Sequence, residues 1–179
     1  MSHVQGEVGQ TLQPSFNLRE EYIDPSEHRE YYCACYGDAW RHAHGSLEGY
    51  DENTYFSAAV EHYTDDPKSV CIIYDNDEPV GLVDMDSGKG RHAGYGWISL
   101  LYLKPEYRHK GLGVQLLARA IMKYDGMGMN SIRLNVAEDN GDALSFYRKW
   151  GFRELSSVPG ATGGRLLLME RKLRCFEDV

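Results

Sequence analysis

Residues 97–113 read WISLLYLKPEYRHKGLG, and their types and spacing could hold an anion. The apolar run 98–103 has the character of a strand, and it stops at Lys104-Pro105 because proline cannot continue a ladder. Arg108-His109-Lys110-Gly111-Leu112-Gly113 follows, and beyond it Val114, Leu117, Ala118 and Ile121 recur at helical spacing. Two glycines thus stand where a strand hands over to a helix, beside two cations. The first turn of a helix carries unpaired N–H donors and about half a positive charge. Glycine lets a phosphate approach such a backbone closely. The stretch can cradle a pyrophosphate, and the same residues would equally make a plain glycine-eased junction. No Gly-x-x-x-x-Gly-Lys-Ser/Thr string occurs. Leu116 stands where a dinucleotide fingerprint needs its third glycine.

The elements that must position this junction can be read on either side of it. Residues 16–23 suit a first strand. Asp24-Pro25-Ser26-Glu27 is a helix start with an N-cap, proline at N1 and Glu27 as a capping box, and the helix is expected to run to about His44 before Gly45. Asp51 caps a second helix with the stripe Phe56, Ala59, Val60 and Tyr63. The period then changes: 70–74 and 80–85 form a hairpin, and 87–94 is a polar, glycine-rich loop. The pivotal strand and a long helix come next, with Gly126 and Gly128 ending the helix. Residues 132–137 alternate as a strand does. A helix starts at Asn140 and carries Ala143, Phe146, Tyr147 and Trp150 on one face, with Gly151 at its end. Strands at 152–157 and 166–172 close the chain. This order predicts an α/β (mixed α+β) fold, a mixed six- to seven-stranded sheet with helices on both faces. Residues 1–15 read as a flexible lead-in, 16–174 as one domain and 175–179 as a tail.

The 179 residues suit one domain with a full core. Nineteen basic against 27 acidic residues give a formal charge of −8, which argues against nucleic acid as main partner and favours cationic small molecules. No stretch approaches the roughly 18 apolar residues of a membrane span. The N-terminus has no apolar signal core. The four cysteines lack paired CxxC spacing, so they read as free thiols in a reducing cytoplasm, with no metal site expected.

Two separated motifs coincide: Arg108-x-x-Gly111-x-Gly113 after Leu101-Tyr102-Leu103, and Asn140-x-x-Ala143-x-x-Phe146-Tyr147-x-x-x-Gly151-Phe152 one short strand later. The pairing resembles the GCN5-related N-acetyltransferase (GNAT) superfamily, and the element order matches over residues 16–173. The resemblance implies acetyl-CoA as cofactor. It implies a pyrophosphate on the backbone N–H groups of Arg108, His109, Lys110, Gly111, Leu112, Gly113 and Val114. It also implies a splayed sheet in which pantetheine pairs with the backbone of Leu101, Tyr102 and Leu103, the Leu101 N–H meeting the thioester oxygen. The side chain of Arg108 is expected to anchor the loop rather than bind phosphate. Asn140 would contact the cofactor, and Tyr147 would protonate the leaving thiolate. Seven residues are almost two helical turns, so both side chains share a face about 10 Å apart along the axis.

The sequence departs from that family at the general base. Many members carry a glutamate five residues before the asparagine, where this chain has Asn135, and others carry one on the pivotal strand, which has no acid here. The remaining candidates are Asp84, Asp86, His92, His44 and Glu138, unless the acceptor is a nearly neutral arylamine. Aromatic and titratable groups crowd the first two helices and their linker: Trp40, His42, His44, Tyr50, Asp51, Tyr55 and Phe56. Trp40, His44, Tyr50 and Asn135 are therefore expected to line the acceptor site. The acceptor expected is a small-molecule amine. Acetylation of a protein N-terminus or lysine, or a non-catalytic acyl-CoA sensor, fits the same residues. Dimers are common in the family, and nothing in the sequence fixes an interface.

Overall fold

The computed structural model describes residues 15–160 and 162–173. The expected lead-in (apart from Ser15), Ala161 and the tail lie outside them. Seven strands form one sheet in the order β1-β2-β3-β4-β5-β7-β6. The strands are β1 (Leu18–Tyr22), β2 (Val70–Asp75), β3 (Glu78–Asp86), β4 (Tyr95–Leu103), β5 (Ser131–Ala137), β6 (Arg153–Pro159) and β7 (Arg165–Lys172). Every pairing is antiparallel except β4 with β5, the two strands joined through the crossover helix α3 (Leu112–Gly126).

Helices α1 (Arg29–His44) and α2 (Glu52–Asp65) cover one face, and α3 and α4 (Gly141–Lys149) cover the other. Alternation along β2 feeds both cores: Val70 and Ile72 pack under α1 and α2, Cys71 and Ile73 under α3. Among the described residues no helix is long and apolar enough to cross a membrane.

The first helix begins later than its sequence suggests. Asp24 caps a short 3₁₀ turn, Pro25–Glu27, by accepting from Ser26 N–H at 2.8 Å, and His28 breaks the backbone before α1. The Glu27 and His28 N–H groups bond to Asp24 and Pro25 carbonyls, the tight i+3 pattern, so Glu27 belongs to the turn and not to a capping box of α1. Strand β4 starts three residues earlier than its apolar run because Tyr95, Gly96 and Trp97 pair with Ser131, Ile132 and Arg133. The glycine-rich loop before it is pinned: a Cβ on Gly90 would lie 2.1 Å from the Tyr95 ring.

Candidate active site

The site forms where β4 and β5 part. Their pairing ends at Trp97 opposite Arg133, while both strands run on. The β3–β4 register explains the parting. Asp84 faces Leu100 and Met85 faces Ile98, so Ser99 is the extra residue of a bulge that bends β4 away from β5. Past the bulge, Lys104 N–H bonds to Val80 O at 2.9 Å. Strand alternation then turns the Tyr102 amide toward β3 and the Leu101 and Leu103 backbone groups toward the opening. The strand-like pairing expected of Leu101, Tyr102 and Leu103 therefore reduces to Leu101 and Leu103. Tyr102 instead donates its hydroxyl to Asp38 at 2.9 Å.

Leu103 O is already engaged by Arg108 Nε at 2.8 Å, and Arg108 Nη2 pairs with Asp38 at 3.0 Å. That side chain ties the loop to β4 and α1. The Arg108 N–H bonds to Pro105 O, so it leaves the expected set of phosphate donors. Next come His109 and Gly111 with φ of 57° and 77°, a left-handed turn that swings the chain into α3. The N–H groups of Leu112, Gly113 and Val114 open the helix and have no intrahelical acceptor. A Cβ on Gly113 would press within 3.1 Å of the Phe146 ring, so glycine permits the close approach of α3 and α4. Outside this turn, Lys110 is exposed and His109 lies 3.9 Å from Asp142.

Asn140 caps α4 by accepting from Ala143 N–H at 3.2 Å, which leaves its amide N–H donors for a ligand. One face of α4 carries Tyr147, held edge-on between Phe146 and Phe152. Burial pushes the Tyr147 phenol well above its ordinary range, so it stays protonated.

Two cavities, of about 520 and 570 Å³, meet at Leu101, Asn140 and Tyr147. The larger runs past Arg108, Gly111, Gly113 and Val114 toward the α3 N-terminus. The smaller lies under α1 and α2 and reaches Trp97. Trp40, His44 and Asn135 line the smaller one, while Tyr50 stands one layer back, stacked on Tyr36 and Tyr55. Of the candidate bases, Asp84, Asp86 and His44 line this cavity. His92 is exposed on the turn before β4, and Glu138 accepts from Arg165 N–H at 2.9 Å. Burial holds His44 below its ordinary pKa against the opposing pull of Asp139, and its Nδ1 lies 3.3 Å from Thr162 Oγ1.

Sequence reasoning missed His62, which sits on the floor of the same cavity. Its Nδ1 is 2.7 Å from Asp84, a fully buried carboxyl that also accepts from Tyr32 at 2.7 Å. On the other side, its Nε2 lies 3.3 Å from Asp86. Burial alone would lower the His62 pKa; the hydrogen bond and charge of Asp84, with Asp86, outweigh it and raise the pKa. The available signal was helical spacing, since His62 stands three residues beyond buried Ala59 and seven beyond Tyr55 on α2.

A family model for the acetyltransferase (GNAT) family matches residues 20–152. The chain belongs to the GNAT family. The spermidine N(1)-acetyltransferase of Thermoplasma acidophilum is 40% identical over 72 residues, which make up 40% of this chain and 42% of that protein. The match thus spans less than half the length of that relative. Ard1 from Thermoplasma volcanium superposes with a TM-score of 0.70 at 20% identity, covering 87% of this chain and 97% of that one. The PaiA N-acetyltransferase of Thermoplasma acidophilum, in complex with coenzyme A, gives 0.63 at 21% identity, covering 87% and 99%. These likenesses establish the shared fold: a mostly antiparallel open sheet with helices on both faces.

GNAT acetyltransferases use acetyl-CoA. The residues here fit such a ligand: an open amide at Leu101, free N–H groups at the start of α3, and a glycine at 113 that keeps the junction clear.

Proposed function

We propose that this chain moves an acetyl group from acetyl-CoA to the primary amine of a small molecule, by direct attack with both partners held at once. The meeting of the two cavities at Leu101, Asn140 and Tyr147 carries this reading, since it joins a phosphate-binding groove to a polar, aromatic chamber at one point. Acetyl-CoA supplies the activated acyl thioester when bound. Its diphosphate would rest on the N–H groups of Leu112, Gly113 and Val114. The Leu101 N–H would donate to the thioester oxygen as charge develops there. Tyr147, protonated at every physiological pH, would give its proton to the departing sulfur. A thiolate leaving beside Tyr147 would be desolvated as well, which would raise its own affinity for the proton and offset the rise at Tyr147.

His62 is the proton acceptor in this reading. Asp84 holds the Nδ1 side of the ring, which directs Nε2 toward the chamber and Asp86. The attacking amine would sit at the Leu101 end of the chamber, and Nε2 would take its proton through one bridging water as the nitrogen attacks. The buried-carboxylate-to-imidazole arrangement keeps the ring in the needed tautomer.

The spermidine relative makes polyamines the first acceptors to try, followed by other alkylamines, arylamines and short peptides. Free-CoA release over that panel tests the proposal. Turnover well above acetyl-CoA hydrolysis supports it. Binding of acetyl-CoA with no turnover on any amine would instead mark a sensor.

A further inference from the structure

The chamber contains an amine of its own. Lys89 is an exposed residue as a whole, yet its side chain turns inward and Nζ lies 3.4 Å from the centroid of the Trp97 ring. The backbone makes this orientation firm. Asp86 Oδ1 accepts from both Gly88 N–H at 3.1 Å and Lys89 N–H at 2.8 Å. Gly90 is locked against Tyr95, where a Cβ would overlap the ring. Lys89 is thus presented on a fixed loop between two glycines.

The ammonium is underpartnered. The Trp97 face attracts its charge but accepts little from its three N–H donors. Among the described residues no carboxylate comes within 4.0 Å of it, and the nearby Asp86 is already engaged by two backbone amides and by His62. Burial lowers the Lys89 pKa against the opposing pull of Asp86, which marks a cation whose surroundings do not fully compensate it. The charges around the chamber are therefore not simply acidic. Asp84 and Asp86 are faced by His62 and Lys89, so the chain's overall −8 does not carry over to this site.

We propose that Lys89 is a recognition residue for an anionic group on the acceptor, so that the preferred substrate carries its reactive amine at one end and a carboxylate at the other. Trp97 lies opposite Asp86 and Leu101 opposite Val83, three residues apart on β3 because of the bulge, which sets them about 10 Å apart at roughly 3.3 Å per residue. The amine end lies at Leu101 and Tyr147, and the anion end lies at the Lys89 ammonium beside Trp97. Three extended peptide units cover about 10 Å, a span that fits between those two points. This inference rests on the acetyl-transfer reading and specifies its substrate.

Triglycine and triglycinamide differ in the terminal charge and in little else, and they serve as the probe pair. The wild-type protein should prefer triglycine by about tenfold or more in kcat/KM, as expected for a hydrogen bond between two charged groups. Lys89→Met keeps the aliphatic stem over Trp97 and should abolish the preference through loss of triglycine alone. Lys89→Arg should retain it, which separates recognition from a packing role. Equal use of the two probes by the wild-type protein, or a preference that survives in Lys89→Met, overturns the proposal. Calorimetric titration of the same pair into the CoA complex reads the discrimination without turnover. If no amine is acetylated, the acetyl-transfer reading fails, and equal binding of the two probes would then overturn the Lys89 proposal as well.

Discussion

Replacing His62 by glutamine removes the proposed proton acceptor while keeping a polar side chain against Asp84 and Asp86. An aliphatic ammonium has a pKa of about 10.4, so freeing it at pH 7 costs about 4.6 kcal/mol at 1.36 kcal/mol per pH unit. A positioned base typically contributes about 10²–10⁴-fold. His62 is held by a 2.7 Å bond to a buried carboxyl, and its ring is only 12% exposed, so a loss of about 10²-fold in kcat at pH 7 is the expected minimum. The pH profile carries the sharper signature. The pair Asp84 and Asp86 raises the His62 pKa, so below it the imidazolium cannot accept a proton. Wild-type kcat should climb as pH rises through that raised value and then level off. The variant should depend on amine that is already free, gaining about tenfold per pH unit up to the amine's own pKa. The two curves converge near pH 9, which also shows that the variant is folded. Initial rates of CoA release over pH 6–10 measure this. A variant within twofold of wild type at pH 7, with the same plateau, would refute the assignment. Stability carries the opposite sign. A raised folded-state pKa gives stabilisation that is fully present below the unfolded value of about 6.5 and is lost as pH rises through the folded value. Denaturant midpoints of wild type and His62→Gln should accordingly differ more at pH 5.5 than at pH 9.

Tyr147→Phe keeps the edge-on contacts with Phe146 and Phe152, so its melting temperature should stay near wild type while kcat falls about 10²-fold; an unchanged kcat removes Tyr147 as the acid. Gly96→Ala sets a methyl group 2.2 Å from the ring of buried Tyr124, whose hydroxyl donates to Trp97 O at 2.5 Å. Overpacking of that kind costs about 3 kcal/mol, or a fall of roughly 6–12 °C in a thermal melt for a chain of this size.

Much of the fold was legible because its signals are local. The stripe Val114, Leu117, Ala118 and Ile121 gave α3, the Asp51 cap gave the start of α2, and alternation gave β5. The glycine junction and the Asn140–Tyr147 helix face were legible for the same reason: each is a short-range spacing. The parting of β4 and β5 was expected from the family resemblance, but its cause was not readable, since a bulge at Ser99 depends on register against β3. The use of Arg108 N–H by Pro105 was equally hidden, because it follows from a 3₁₀ turn at Pro105–Tyr107. His62 and Lys89 escaped for a further reason. Each acts through a partner on another element, Asp84 for His62 and Trp97 for Lys89, and neither spacing has a sequence signature. His44, Trp40 and Tyr50 all sit in the crowded aromatic region, yet only packing separates the two that line the chamber from Tyr50, which supports them.

The central claim is that a CoA arm lies in the gap between β4 and β5 with its diphosphate at the start of α3. Backbone amide hydrogen exchange with and without CoA tests it directly. CoA should slow exchange at Leu101 and at Leu112, Gly113 and Val114, while Tyr102, already turned toward β3, changes little. Absence of protection at those amides under saturating CoA, or protection confined to another part of the sheet, would contradict it.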